Sequence, residues 1–522
     1  MPGLPDPIAT TRPLLWKLSA AFLIVLLAIV LCSRMSHPWT YNDDYNGAFW
    51  SQAARNLNRA GFFSTAGVPA PLYFGAPPIP REALYVHHPT LLADMMLVDL
   101  WLLGESERAA RALPICFSVL TGLLLWYFVG RFAGWRMAAF TLAFFVAAPM
   151  ELHYGQMVNF EAPELFFLLA ALCSHHLWRA RPNAAWATML ILSCIAAMAT
   201  DWQGYLLVII LSIQLMAADR RAEFKMGAAL FIPAALCGIA FLMQIRLAMP
   251  GAWHELYSAL RERSSHADLS GGAFTMGQWL RVEYGYLTTL FHPLTWLLAM
   301  GGAIVAWFER RKPRASERPV LHIAAVLFLI DAFYVCALRN QSYIHDFASF
   351  YFLVPLAIYS GFFVDRIIRS ARALGGEKGA CATTACCCAM AMVLLWFGVR
   401  SLATIDTPFC ILDNNTKEPD TLMPDVGRLI DRTFPANAVV ICNFDQYYSP
   451  LPFYARRIMV NNLHTVPDWS QAVADAAPQP AGGIIWTGVP DAGELARHFP
   501  PSQTHVETVD GVAFLLWTPA SR

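Results

Sequence analysis

A chain of 522 residues that is 57% hydrophobic and only 14% charged is too apolar for an ordinary soluble protein, in which about 25% of residues carry charge. Its 37 basic and 37 acidic side chains cancel, so no net field favours nucleic acid or a strongly acidic partner. The 12 cysteines have the spacing of neither a disulfide scaffold nor a zinc site. Most sit inside apolar runs, Cys386-Cys387-Cys388 among them, and read as packing.

Apolar runs long enough to cross a bilayer recur up to residue 401. They lie near 14–33, 112–131, 135–150, 162–178, 184–200, 203–218, 226–246, 286–308, 320–338, 348–367 and 382–401. Together they predict a polytopic α-helical membrane protein with about eleven transmembrane helices. No small-residue cleavage site follows the first run, so it reads as a retained anchor.

Basic residues mark every second loop: Arg12 and Lys17; Arg131 and Arg136; Arg179 and Arg181; Arg220, Arg221 and Lys225; Arg310, Arg311, Lys312 and Arg314. Arg366, Arg369, Arg372 and Lys378 complete the series. Lys and Arg collect on the cytoplasmic side, which sets these loops and the N-terminus inside. The stretches 34–111, 151–161, 201–203, 247–285 and 339–347, with everything after 402, then face outward. His175-His176, at the cytoplasmic end of a span, reads as interfacial.

The first outer loop opens on Tyr41-Asn42-Asp43-Asp44-Tyr45. An Asp at the centre of a spanning helix costs about 2.5–3.5 kcal/mol, so this pair belongs outside the hydrocarbon or in a polar cavity. Gly47 to Ala60 puts Trp50, Ala53, Ala54 and Leu57 on one helical face, the pattern of a helix lying in the interface. The Pro- and Gly-rich stretch 66–80 is loop. Pro89 to Leu103, interrupted by Asp94 and Asp99, forms a second surface helix. After the last span, strand-like runs at 438–442, 483–486 and 512–517 alternate with helical ones at 426–432 and 491–498. They predict a small α/β domain on the outer side. The chain therefore divides into a transmembrane module, 1–402, and an extracytoplasmic domain, 403–522. Cys410 and Cys442 are the only cysteines of that domain, and an oxidising compartment would allow them to pair.

The residues with chemistry to offer share the outer side: Asp43, Asp44, His87, His88, Glu151, His153, Glu161, Asp201, His345 and Asp346. Like-charge repulsion raises one pKa of a carboxylate pair into a range useful for a general base. Imidazoles, or a divalent ion on Asp44, His88 and Asp346, would stabilise an anionic leaving group. The helix that starts after Pro89 adds N–H groups that favour a phosphate. Against this, Asp43 and Asp44 are also ordinary helix N-caps, and Glu151, His153, Asn159 and Glu161 are close enough in sequence to satisfy one another.

Asp43-Asp44 after the first span resembles the acidic pair in the first outer loop of GT-C glycosyltransferases. The branch most similar contains the protein O-mannosyltransferases and the bacterial aminoarabinose transferases that modify lipid A. His87-His88-Pro89-Thr90-Leu91-Leu92 resembles that branch's lead into its second surface helix. Gly104-Glu105-Ser106-Glu107 and Arg111-Ala112-Leu113-Pro114 resemble its run into the second span. Arg339 to Pro355, with His345 and Tyr351, is similar to a late outer loop that helps hold the lipid carrier.

The resemblance implies an enzyme that moves a hexosyl or pentosyl group from a polyprenyl-phosphate carrier, with inversion, to a lipid, glycan or protein acceptor on the outer face. Asp43 and Asp44 would be catalytic, and His87, His88, His345, Arg339 and Tyr351 would surround the donor phosphate. Thr90 and His88 depart from the branch's usual second proline and basic residue. Asp201-Trp202-Gln203-Gly204 replaces a Lys-containing turn, so acceptor or lipid specificity is expected to differ. Short loops favour a bacterial inner membrane, with the active face and the carboxy-terminal domain in the periplasm. A transporter or flippase for a lipid-linked glycan would need charges near the midplane and broken helices, whereas here the charges gather at one face. A non-catalytic assembly subunit is the third reading.

Overall fold

Hydrocarbon offers a backbone no water to bond, so long apolar segments close their hydrogen bonds internally as helices. The computed structural model describes residues 13–40, 45–218, 220–267, 272–309, 316–404, 421–443, 450–476, 479–488, 492–498 and 501–518. Up to residue 404 they are nearly all helical. The series begins with α1 (Pro13–Ser33), α2 (Tyr45–Ala60), α3 (Leu91–Leu103), α4 (Glu107–Ala133), α5 (Trp135–Ala147) and α6 (Pro149–Tyr154). It continues with α7 (Glu161–Ala180), α8 (Ala184–Thr200), α9 (Trp202–Met216), α10 (Arg221–Ala248) and α11 (Ala252–Arg263). Then come α12 (Met276–Leu290), α13 (Pro293–Glu309), α14 (Arg318–Ala337), α15 (Arg339–Ile344) and α16 (Leu353–Thr404), the last broken at Gly376 with φ 62°.

The predicted apolar runs fall on these helices, but their lengths differ from expectation. Among the described residues five helical stretches are long and apolar enough to cross a membrane, or six if one bent pair counts as a span. The apolar helices α5, α8 and α9 fall short of that length; at about 1.5 Å per residue a helix as short as α5 cannot reach across about 30 Å of hydrocarbon. The run 286–308 is not one straight helix. Pro293 lacks an N–H and bars helical geometry at the residue before it; His292 takes φ 57° and the chain turns through 97° between α12 and α13.

The first loop also differs from expectation. The polar face of α2, which periodicity assigns to water, is buried with its apolar face: Gln52, Arg55 and Asn56 are as enclosed as Trp50 and Leu57. The helix is covered by the loop beyond it, where Asn56 Nδ2 donates to the Ala70 and Tyr73 carbonyls, both at 2.6 Å. By contrast, α3 leaves Val98, Trp101, Leu102 and Leu103 exposed, as a helix on a membrane surface would.

The carboxy-terminal segment holds a five-stranded sheet in the order β2-β1-β3-β5-β4. Its strands are β1 (Val439–Cys442), β2 (Ile458–Val460), β3 (Ala481–Trp486), β4 (Thr504–Val509) and β5 (Val512–Trp517). The first three are parallel neighbours, and β5 and β4 run antiparallel. Alternation along β1 explains the layers. Val440 and Cys442 pack on Val426 and Ile430 of α17 (Leu422–Thr433), and Val439 and Ile441 pack with Trp469 of α19 (Val466–Ala476) on the other side. Cys410, the suggested disulfide partner of Cys442, lies outside the described residues.

This sheet and the first loop share a core. Phe74 packs into the cluster under α17, and its carbonyl accepts from the Met459 amide at 2.9 Å. Arg55 donates to the Pro452 and Phe453 carbonyls at 3.0 and 2.8 Å and pairs with Glu105. Trp39 is fully buried, with the Arg111 guanidinium 4.1 Å over its ring and Phe453 edge-on at 6.0 Å.

At the basic end of the bundle, Arg366 of α16 pairs with Glu309 and Glu317, and Arg136 of α5 with Asp365. His175 and His176 pack against neighbouring helices. Both are buried, and His176 Nε2 meets His322 Nδ1 at 3.0 Å while His322 Nε2 meets Gln214 Oε1 at 2.9 Å, a chain joining α7, α14 and α9. A buried polar ring needs such partners, and for His176 the neighbouring helices supply them, while His175 Nδ1 is buried without a hydrogen bond among the described residues.

A Cβ on Gly47 would come within 2.2–2.5 Å of three Trp39 ring atoms. Gly47→Ala is therefore expected to destabilise the fold by about 1–3 kcal/mol, the range for overpacking, read as a lower melting temperature of the detergent-solubilised protein.

Candidate functional site

Asp43 and Asp44 lie outside the described residues, which stop at Thr40 and resume at Tyr45. The other predicted residues separate into two groups.

One group gathers around the turn before α3. His88 Nδ1 meets Asp201 Oδ1 at 2.8 Å, and the same oxygen accepts the Trp202 amide at 2.8 Å, so Asp201 both caps α9 and holds His88. A carboxylate on Nδ1 selects the ring tautomer protonated there, leaving Nε2 to accept. The His88 ring is stacked against Phe160 at 4.4 Å and Tyr85 at 6.0 Å. His87 Nε2 meets Glu255 Oε1 at 3.1 Å, and the His87 carbonyl accepts from Trp202 Nε1 at 3.1 Å. Burial lowers the His87 pKa even though Glu255 opposes it, which favours the neutral ring.

The permanent cation here is Arg263, in the last turn of α11. It interacts electrostatically with Tyr85, His87, Tyr334 and His345, and it has no ion-pair partner among the described residues. Its presence in the group had no signal in residue type, because 247–285 reads simply as a connecting loop. The amphipathic pattern of Ala252–Arg263, with Trp253, Tyr257 and Leu260 exposed, was the available clue. His345, with Asp346, was expected to add a cation or a metal ligand. Instead, burial first and Arg263 second push its pKa down to about 3, so at neutral pH it is a neutral imidazole.

Behind His88 the surroundings become acidic. Trp50 Nε1 donates to Asn159 Oδ1 at 3.1 Å, which turns Asn159 Nδ2 toward Glu161 Oε1 at 3.3 Å. Glu161 Oε2, the Gln203 carboxamide and the Tyr351 hydroxyl are buried without a hydrogen-bond partner among the described residues. Tyr351 lies in electrostatic reach of Asp201, Glu161 and Glu164. Arg339 opens α15 with its Nε buried and unbonded among the described residues.

The second group faces into the bundle. Asp346 accepts from the Tyr154 hydroxyl at 2.7 Å on each oxygen. His153 Nε2 meets Ser401 Oγ at 3.2 Å. Glu151 is fully buried beside the Ser118 hydroxyl, which donates to the Gly155 carbonyl at 2.9 Å. The turn 151–161 therefore divides, with Glu151 and His153 inward and Asn159 and Glu161 toward α2. His88 and Asp346 fall in different groups, and the described residues assemble no set of three His, Cys, Asp or Glu able to hold a metal ion. The described residues alone do not fit the divalent ion that was expected on Asp44, His88 and Asp346.

No protein-family model matches the sequence, and no curated protein matches it significantly. Solved structures do match. The chain superposes on ArnT from Cupriavidus metallidurans bound to undecaprenyl phosphate with a TM-score of 0.61 at 14% identity, covering 98% of this chain and 99% of that one. It matches the Archaeoglobus fulgidus oligosaccharyltransferase in complex with Zn and sulfate at a TM-score of 0.53 and 12% identity, over 89% and 68% of the two chains. The archaeal oligosaccharyltransferase AglB from Archaeoglobus fulgidus, in complex with an inhibitory peptide and a dolichol-phosphate, gives 0.52 and 11%, over 97% and 74%. These are GT-C fold glycosyltransferases, and the chain has their fold.

Burial raises the Glu151 pKa from 4.5 to about 8. A carboxyl raised on folding holds its proton in the folded state after the unfolded state has lost it. Stability is then full below pH 4.5 and falls as pH rises through about 8. Glu151→Gln, which keeps the shape and cannot ionise, is expected to flatten this dependence. The melting temperatures of variant and wild type should converge near pH 5 and separate by pH 8.5, with the variant higher; parallel curves would mean that Glu151 ionises freely.

Proposed function

We propose that the chain is a membrane glycosyltransferase that moves a sugar from a polyprenyl-phosphate carrier to an acceptor on the outer face, with inversion at the anomeric carbon. The observation that carries this reading is the convergence of Arg263, His87 and the His88–Asp201 pair in a chain with the GT-C fold. Two proteins of that fold bear polyprenyl-type ligands: undecaprenyl phosphate on ArnT and dolichol-phosphate on AglB.

Asp43 or Asp44 takes the proton from the acceptor's hydroxyl or amine as that group attacks the anomeric carbon. The bond from that carbon to the phosphate oxygen breaks on the opposite side, and the polyprenyl phosphate leaves with the electron pair. Arg263 meets its charge, since a guanidinium is ionised at any working pH and matches phosphate oxygens in pairs. His87 and His88, held by Glu255 and Asp201, shape the wall of the carrier site, and Arg339 is a second cation for the carrier. Glu161, Gln203 and Tyr351, with unmet hydrogen bonds, suit the sugar's polar groups. No step is drawn through a metal ion.

In the same reading the chain crosses the membrane about eleven times, the short helices crossing together with the helix that continues them or where the bilayer thins around them. The basic loops face the cytoplasm, and residues 403–522 form the extracytoplasmic unit of a bacterial inner-membrane enzyme. The acceptor is a lipid, glycan or protein.

Incubation with radiolabelled polyprenyl-phosphate sugars, followed by identification of the labelled product, tests the activity. Asp43→Asn or Asp44→Asn should lower transfer by about 10²–10⁴, the range for a lost general base, while the protein stays folded and inserted. Retention of activity in both variants would sink the assignment. Arg263→Ala should weaken donor use about 10- to 100-fold, the equivalent of a lost charged hydrogen bond, with acceptor KM unchanged.

A further inference from the structure

The carboxy-terminal sheet meets the first loop through α18 (Pro450–Ala455), a short helix packed against α17. Its Tyr454 hydroxyl stands where three distant parts of the chain converge. It accepts the Trp39 amide N–H at 2.7 Å and donates its own proton to Glu107 Oε1 at 2.7 Å. A phenol has one proton, so Glu107, which can only accept when ionised, fixes the direction of both bonds. Arg428 of α17 lies 4.5 Å over the Tyr454 ring and holds it from the sheet side.

Trp39 is constrained on its other sides as well. Arg111 covers one face of the indole, Phe453 meets its edge, and α2 crosses so closely that only a glycine, Gly47, fits against it. The short segment between Trp39 and Gly47 contains Asp43 and Asp44. Its two flanks, Trp39 and Gly47, meet at one indole, and the Trp39 backbone is tied to a tyrosine from the far end of the chain.

We propose that Tyr454 is a positioning residue for the transfer reaction. By bonding the Trp39 amide it sets where the segment bearing Asp43 and Asp44 starts, which makes the carboxy-terminal unit part of the catalytic scaffold. The inference rests on the assignment of Asp43 and Asp44 as the reacting pair. Its physical basis is the sensitivity of rate to placement, since about 1 Å of error in a reacting group can cost about 100-fold.

Tyr454→Phe in the full-length, membrane-reconstituted protein keeps the ring and its Arg428 contact but removes both hydrogen bonds. The expected result is a kcat lowered about tenfold or more, with donor and acceptor KM unchanged. Hydrogen exchange at the Trp39 amide, read by mass spectrometry, should accelerate about tenfold as its acceptor is lost. Tyr73→Phe, which removes a hydroxyl bonded to the Ala76 carbonyl in the same loop at 2.5 Å, should leave both readouts unchanged.

An unchanged kcat, or unchanged exchange at Trp39, overturns the proposal. A raised acceptor KM with kcat intact also overturns it, because that would make the carboxy-terminal unit an acceptor-binding module. If Asp43→Asn and Asp44→Asn abolish transfer while Tyr454→Phe does not, only this inference fails. If both Asp variants stay active, the catalytic assignment fails and Tyr454 has nothing to position.

Discussion

Buried guanidinium groups dictate the first loop. Arg111 is fully enclosed, and it donates to the Met35 carbonyl at 3.1 Å and to the His37 carbonyl while lying on Trp39. Arg55 is met by Glu105, Gln52 and two carbonyls of α18. Removing a charge from water costs several kcal/mol unless it is paired and hydrogen-bonded, and here the partners come from segments far apart in sequence. A planar five-donor fork can join such segments where a lysine could not. Arg111 therefore ties α4 to the end of α1, and Arg55 ties α2 to the sheet. With both in place the loop has little freedom to rearrange, and His87 and His88 inherit their positions from it.

The candidate site was legible where residue type alone carries the signal. A His pair before a helix and an acid at the start of a span are chemically conspicuous, and His88 and Asp201 do meet. What sequence could not supply was the environment. His345 looks like a cation until burial makes it neutral. Arg263 was passed over because residue type alone does not tell an arginine in reach of His87 from one in water, and the amphipathic pattern of its helix was the only clue. Pairings between residues more than a hundred positions apart have no signature in a single sequence.

For the fold, hydrophobic runs located the helices because apolar length is what a bilayer demands. The same rule misjudged 286–308, where one proline outweighs the surrounding hydropathy. It also misread α2, whose polar residues Gln52, Arg55 and Asn56 are buried with partners and not solvated. Periodicity reports which face is polar; it does not report what covers that face. His175 and His176 illustrate the same limit at the other end of the bundle, where the helix end packs against α14.

The bond between the Phe74 carbonyl and the Met459 amide has a further consequence. Phe74 is synthesised early and belongs to a core completed by strands near the end of the chain. The same holds for Trp39 and Tyr454, which are 415 positions apart. Contacts of such sequence separation close late, after the intervening loop entropy has been overcome. During synthesis the first loop must wait, with its arginines and Trp39 unmatched, through the insertion of every later span. A ribosome that stops before residue 450 leaves an otherwise complete helical bundle whose first loop has not finished folding.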